Sequence, residues 1–186
     1  MTPIQQSSKR ILVACIGNIF LGDDGFGVEV AQRMLRRKDR PYAEHVQVVD
    51  FGIRGMDLAY TLLEDYDTLV LVDAVPRGGQ PGTLYLIEPD MAYLSAEQGA
   101  RAGSVALDTH SMDPVKVLAY ARTLGAQPIR TLLVGCEPSV FDGADAFMEM
   151  SMGLSEPVQA AIEPAIHMID SLVADLLQPQ HTIEEQ

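Results

Sequence analysis

Residues 10 to 38, RILVACIGNIFLGDDGFGVEVAQRMLRRK, contain an apolar run, a glycine-rich turn and an amphipathic segment in immediate succession. The run RILVACIG (10–17) is short and rich in apolar residues, several of them β-branched, which is typical of a buried strand. The segment GVEVAQRMLRRK (27–38) has its apolar residues at helical spacing and ends in basic residues that suit a helix C-terminus. A strand, a short turn and a helix in this order indicate an α/β fold.

The same alternation continues along most of the chain. The further segments with strand composition are HVQVVDFG (45–52), DTLVLVDAV (67–75), TLYLIEPD (83–90) and PIRTLLVGCEP (128–138). The further segments with helical spacing are GMDLAYTLLEDY (55–66), DPVKVLAYARTLG (113–125) and EPVQAAIEPAIHMIDSLVADLL (156–177). Strands that alternate with helices predict a mostly parallel sheet covered on both faces. We therefore expect one α/β domain over residues 1–186, with a twisted five-stranded sheet and flexible tails at 1–9 and 179–186.

Composition and charge exclude several classes of partner. The chain of 186 residues is 47% hydrophobic and 21% charged, with a net charge of −13. A surface this acidic repels nucleic acids and anionic membranes, so neither is expected as a partner. Cys15 and Cys136 are the only cysteines, and each lies within an apolar run, which argues against a disulfide framework. We expect a cytoplasmic monomer without a resident cofactor.

The turn GNIFLGDDGFG (17–27) is open to three interpretations. A dinucleotide site requires G-x-G-x-x-G, but here Cys15 occupies a glycine position and two acids stand where a phosphate would bind. A purely structural turn would also explain the acids, because carboxylates are favourable at the positive end of the following helix.

The third interpretation is a metal site, which gains support from the ends of other segments. Asp73 ends the strand TLVLVD, and His110 precedes the helix that begins near Asp113. With Asp24, these residues lie where strands open onto the carboxyl edge of the sheet, which is where open α/β sheets bind ligands. Two carboxylates and an imidazole suit a borderline divalent ion such as Ni²⁺ or Zn²⁺. The residues alone leave the structural and metal interpretations open.

Several motifs in order resemble one known family. They are GNIFLGDDGFGVEV, VVDFGIRGMDL, VLVDAVPRGGQPGTLYLIEPD, DTHSMDPVKVLAYA, LLVGCEPSVFDG and AAIEPAIHMIDSL, which together cover nearly the whole chain. In these motifs the chain resembles the [NiFe]-hydrogenase maturation proteases. Members of that family are endopeptidases that remove a C-terminal peptide from the hydrogenase large-subunit precursor.

The resemblance implies specific site residues. The metal-contacting positions of the family fall on Asp24, Asp73 and His110. Some members carry Glu at the first of these, so the side chain of Asp24 is one methylene shorter. The resemblance also implies that the nickel belongs to the substrate, so that the protease acts only after nickel insertion and its own site is empty at rest.

The chemistry implied is metal-assisted hydrolysis, since the sequence has neither a G-x-S-x-G elbow nor an H-E-x-x-H helix. We expect Asp24 and Asp73 to act in catalysis, with Asp50 as general base or positioning group or, equally, as a cap on the following loop. Asp23 is expected to be a turn or capping acid, and Asp108, two residues before His110, is a candidate to orient the His110 ring. The alternative function is a non-catalytic accessory protein that senses nickel during hydrogenase assembly.

Overall fold

The protein is described by a computed structural model covering residues 9–39, 43–89, 113–139 and 152–178. Its strands are β1 (Ile11–Ile16), β2 (Val46–Gly52), β3 (Thr68–Ala74), β4 (Leu84–Ile87) and β5 (Arg130–Cys136). Its helices are α1 (Phe26–Arg36), α2 (Gly55–Thr61), α3 (Pro114–Thr123) and α4 (Glu156–Leu177), and a 3₁₀ turn spans Gly22–Gly25. Each predicted strand and helix is present. The predicted helix 55–66 is shorter, because after Thr61 the N–H groups of Leu63 and Glu64 bond three residues back.

The five strands form one sheet in the order β2-β1-β3-β5-β4. β1 pairs in parallel with β2 and β3, and β3 pairs in parallel with β5. β4 is antiparallel to β5 and lies at the edge of the sheet. The prediction of a mostly parallel five-stranded sheet is confirmed. The carboxyl ends of the four parallel strands share one side of the sheet, which we call the carboxyl edge.

Helices cover both faces of the sheet, as predicted. Alternate residues of the strands belong to two separate cores, since successive side chains of a strand point to opposite faces. One core contains Val13, Cys15 and Val72 with residues of α1 and α4. The other contains Leu12, Ala14 and Leu71 with residues of α2 and α3. We call these the α1 face and the α2 face.

The start of α1 lies directly over the gap between β1 and β3. A Cβ atom at Gly27 would lie 2.2 Å from the carbonyl oxygen of Ile16 and 2.4 Å from that of Val72, so only glycine allows this approach. After β1 the chain places β2 on one side and β3 on the other, so this gap is the point where the strand order reverses. Ligands of open α/β sheets bind at such a point.

None of the helices within the described ranges is long and apolar enough to span a lipid bilayer.

Candidate active site

Asp24 is held in a turn that its own backbone and side chain close. The N–H of Asn18 donates to the backbone oxygen of Asp24 at 3.2 Å and to its Oδ2 at 2.8 Å. The N–H of Asp24 donates in turn to Leu21 at 3.2 Å. Gly17, with φ of +137°, permits this closure, because a Cβ atom there would lie 1.9 Å from the Asp24 oxygen. The glycine-rich sequence therefore builds a closed turn that carries Asp24 at the carboxyl edge.

Asp73 is the penultimate residue of β3, on the other side of the same gap. Its Oδ1 accepts a hydrogen bond from the N–H of Ala74 at 2.8 Å. Burial raises the pKa of Asp73 well above its ordinary value, and the negative charge of Asp24 raises it further. Burial also raises the pKa of Asp24, although the hydrogen bond from Asn18 partly opposes this. The structure thus brings together two partly desolvated carboxylates that repel each other, and a cation between them would relieve the repulsion.

Asp50 lies at the same edge, but its side chain is on the opposite face of the sheet from that of Asp73. It pairs with Cys15, and its charge contributes to the raised pKa of that thiol, so its side chain lies on the α1 face. Cys15 also pairs with Val72, and Asp73 as the next residue points to the α2 face. The guanidinium of Arg54 donates to the backbone oxygen of Asp50. This placement gives no support to Asp50 as a general base beside Asp73, and that role stays a prediction.

The predicted third ligand, His110, lies outside the described residues, as does its predicted partner Asp108. Within the described ranges, no three His, Cys, Asp or Glu side chains are grouped so that they could hold a metal ion. The described part of the site therefore consists of Asp24 and Asp73 on the two sides of the gap.

Comparisons with known proteins identify the family of the chain. The family model described as HycI, hydrogenase maturation protease, matches residues 28–172. The chain belongs to the hydrogenase maturation proteases. These are hydrolases of peptide bonds, so the predictions of the family and of an endopeptidase are confirmed.

Individual relatives cover most of the protease. It is 31% identical over 173 residues to the hydrogenase expression/formation protein HupD of Bradyrhizobium diazoefficiens, covering 93% of this chain and 82% of that protein. It is also 31% identical over 162 residues to a putative hydrogenase maturation protease of Methanocaldococcus jannaschii, covering 87% and 94% of the two chains. The solved structure of the hydrogenase maturating endopeptidase HybD from E. coli has 26% identity and a TM-score of 0.66, covering 90% and 93%.

The carboxylate of Asp23, next to Asp24, joins parts of the protease that are distant in the sequence. Its Oδ1 accepts from the N–H of Ser155 at 2.6 Å, and its Oδ2 accepts from the N–H of Ser139 and from the hydroxyl of Ser155, both at 2.8 Å. The sequence predicted only a turn or capping acid here. No local signal could reveal these contacts, because the partners are 116 and 132 residues away.

Glu137 is a buried carboxylate that sequence reasoning missed. It follows β5 and accepts hydrogen bonds from the N–H of Arg77 at 3.0 and 2.9 Å, the N–H of Gly78 at 3.0 Å and the hydroxyl of Tyr85 at 2.7 Å. Burial alone would raise the pKa of Glu137, but these hydrogen bonds lower it below its usual range. Glu137 thus fastens the loop that follows Asp73 in the protease.

The two thiols of the protease are free and buried. Burial raises the pKa of Cys15, and the charge of Asp50 adds to the effect. Burial, Asp23 and Glu137 raise the pKa of Cys136 to about 12. Since the thiolate is the nucleophilic form, neither cysteine is suited to attack a peptide bond at neutral pH.

A cavity of about 370 Å³ opens at the opposite edge of the sheet, next to Ile11 and Val46, the first residues of β1 and β2. Neither Asp24 nor Asp73 lines it. The paired carboxylates of this protease therefore lie away from this cavity.

Proposed function

We propose that this protease removes the C-terminal peptide of a [NiFe]-hydrogenase large-subunit precursor after nickel has been inserted. The observation that carries the proposal is the pair Asp24 and Asp73, held on either side of the gap between β1 and β3. The E. coli relative HybD is a hydrogenase maturating endopeptidase, and this chain spans 93% of it. We infer that the protease acts as a monomer in the cytoplasm, where it would meet the newly assembled precursor.

The metal in this proposal arrives with the substrate. Asp24 and Asp73 each have a raised pKa, and each would gain from a cation that offsets burial and mutual repulsion. His110 would supply a nitrogen ligand, and a set of two oxygens and one nitrogen suits Ni²⁺. Three protein ligands leave coordination positions for groups of the precursor. The protease would therefore recognise a precursor by its nickel.

The bond would be cleaved by water. Both described thiols stay protonated at neutral pH, so a covalent thioester route has no support. The nickel of the substrate would polarise the scissile carbonyl or activate the water. The water oxygen bonds to the carbonyl carbon, the carbon–nitrogen bond breaks, and a proton passes to the departing amine. Asp24 and Asp73 would position the ion, while the role of Asp50 as general base or positioning group stays a prediction.

The experiment compares nickel-loaded and nickel-free precursor as substrates. We expect the wild-type protease to shorten only the loaded precursor, which mass spectrometry of the intact large subunit would show. Asp24→Asn and His110→Ala should abolish cleavage, because the first removes the negative charge of a ligand and the second removes the nitrogen ligand. Asp65→Asn serves as the matched control, since Asp65 is an exposed carboxylate in the described structure, away from the site.

Two results would overturn the proposal. Equal cleavage of loaded and nickel-free precursor would show that nickel is not recognised. Binding of the loaded precursor without loss of its C-terminal peptide would show instead a nickel-sensing accessory protein.

A further inference from the structure

Four large apolar side chains are exposed beside the paired carboxylates. The exposed fractions are 45% for Ile19, 49% for Phe20, 38% for Leu21 and 50% for Ile53. We call these residues the apolar rim. The chain carries a net charge of −13, so an apolar group of this size beside a catalytic centre indicates a surface for binding rather than for solubility.

The rim is one surface although its residues follow different strands. Residues 19–21 follow β1, and Ile53 follows β2. The N–H of Gly17 donates to the carbonyl of Gly52 at 3.1 Å and joins the two loops at the point where both strands end. The rim therefore lies at the carboxyl edge, on the same closed turn that carries Asp24.

The exposure of the rim is imposed by its backbone. The N–H of Phe20 donates to Oδ1 of Asn18 and the N–H of Leu21 to the carbonyl of Asn18, both at 3.0 Å. A Cβ atom at Gly25 would lie 3.2 Å from the Cα of Ile19, so the loop packs closely on the 3₁₀ turn.

The other half of the rim is held in the same way, because the carbonyl of Ile53 accepts from the N–H of Gly55 at 3.1 Å. The rim cannot turn inward without breaking these bonds, and a rigid surface loses little entropy when it binds.

We propose that the apolar rim docks apolar side chains of the precursor segment next to the scissile bond. The inference rests on the proposed function, which places that bond at Asp24 and Asp73. Phe20 lies four residues before Asp24 on the same turn, so a polypeptide bound at the carboxylates would have the rim next to it. Aromatic side chains, including that of Phe, are enriched at protein interfaces relative to the rest of the surface.

The test measures KM and kcat for cleavage of the nickel-loaded precursor by Phe20→Ser and by Phe20→Ser/Ile53→Ser. We expect KM to rise about tenfold for the single variant and further for the double variant. We expect kcat to stay within about twofold, because the rim binds substrate without contacting the reacting atoms. The matched control is Leu86→Ser, since Leu86 is 51% exposed and lies on β4, at the far side of the sheet.

An unchanged KM in the double variant, or an equal rise in the Leu86→Ser control, would overturn the docking surface. Failure of the proposed function is separate, since it would appear as normal cleavage by Asp24→Asn, whatever the rim variants do. Sedimentation of the wild type and of Phe20→Ser tests whether the rim instead binds a second copy of this chain. A dimer that disappears in the variant would show that the rim binds a second copy of this chain and would overturn the proposal.

Discussion

The carboxylate of Asp23 accepts a 2.6 Å hydrogen bond from the backbone N–H of Ser155, which lies 132 residues farther along the chain. The same carboxylate accepts from the N–H of Ser139 at 2.8 Å. Ser139 follows β5 and Ser155 precedes α4, so one buried side chain ties both to the turn that carries Asp24. Adjacent acids thus differ in their surroundings: Asp23 fixes the turn, and the charge of Asp24 acts on Asp73.

Asp23→Asn should loosen this connection. An amide has one acceptor oxygen where the carboxylate has two, so one of the two serine N–H groups would face an NH₂ donor. Leaving a buried donor without a partner costs about 2 kcal/mol, and we expect the free energy of unfolding to fall by that amount. Urea unfolding measures the change, and cleavage of the nickel-loaded precursor should fall with it.

Ser155→Ala is the control for this prediction. It removes the hydroxyl that donates to Asp23 but keeps the backbone N–H, and that hydroxyl makes no capping hydrogen bond to α4. The expected loss is about 1 kcal/mol or less. Equal stability of Asp23→Asn and the wild type would contradict the structural role of Asp23.

Gly17→Ala should damage the turn around Asp24. The new Cβ would lie 1.9 Å from the Asp24 carbonyl oxygen, and φ of +137° is unfavourable for alanine. We expect the free energy of unfolding to fall by about 3 kcal/mol or more, because the backbone must move. Chemical denaturation measures this, and precursor cleavage should be lost with the position of Asp24.

Gly125→Ala is the control that measures the free-energy cost of positive φ alone, without the steric clash expected in Gly17→Ala. Gly125 has φ of +105°, follows α3 and would carry a Cβ with no heavy atom within 4 Å. The expected loss is about 1 kcal/mol, with cleavage unchanged. Similar losses in the two variants would show that the close approach of Gly17 and Asp24 does not matter.

Features that depend on residues close together in the sequence could be predicted, and features that depend on distant residues could not. The strands and helices were predictable because their apolar residues repeat at short spacing, as in 10–17 and 27–38. Asp24 and Asp73 could be placed at one edge because the ends of parallel strands share it. The strand order could not be derived, since it depends on how distant segments pack.

The contacts of Asp23 and Glu137 were beyond sequence reasoning for the same reason. Each side chain is buried and bonds to backbone N–H groups, which every residue except proline possesses. The type of residue at the partner position therefore does not indicate that the contact exists. The raised pKa of Asp73 likewise depends on burial and on Asp24, both of which need the fold.

Glu137→Ala should release the loop after Asp73. The N–H groups of Arg77 and Gly78 would lose their acceptor, so their hydrogen exchange should accelerate by at least about tenfold. Tyr85→Phe is the control, because it removes one donor to the carboxylate and leaves both N–H bonds in place. Unchanged exchange at Arg77 and Gly78 in Glu137→Ala would show that the carboxylate does not hold this loop.

Asp73→Asn should stabilise the protein while it abolishes cleavage. Burial and the charge of Asp24 raise the pKa of Asp73 in the folded state above the unfolded value of about 3.9. The folded state then binds more protons than the unfolded state above pH of about 4, so the free energy of unfolding decreases as pH rises through this window. At pH 8 the charge of Asp73 is a cost that asparagine removes, while the Oδ1 atom of asparagine can still accept from Ala74.

We expect the Asp73→Asn variant to exceed the wild type by about 1 kcal/mol in the free energy of unfolding at pH 8, because the variant no longer carries a buried charge near Asp24. The difference should shrink toward pH 4, where the wild-type carboxyl is protonated in the folded state. Urea titrations between these two pH values measure it, with Asp65→Asn as an exposed control that should show no such trend. A variant less stable than the wild type at pH 8 would mean that Asp73 contributes to the fold, and not only to the reaction of the protease.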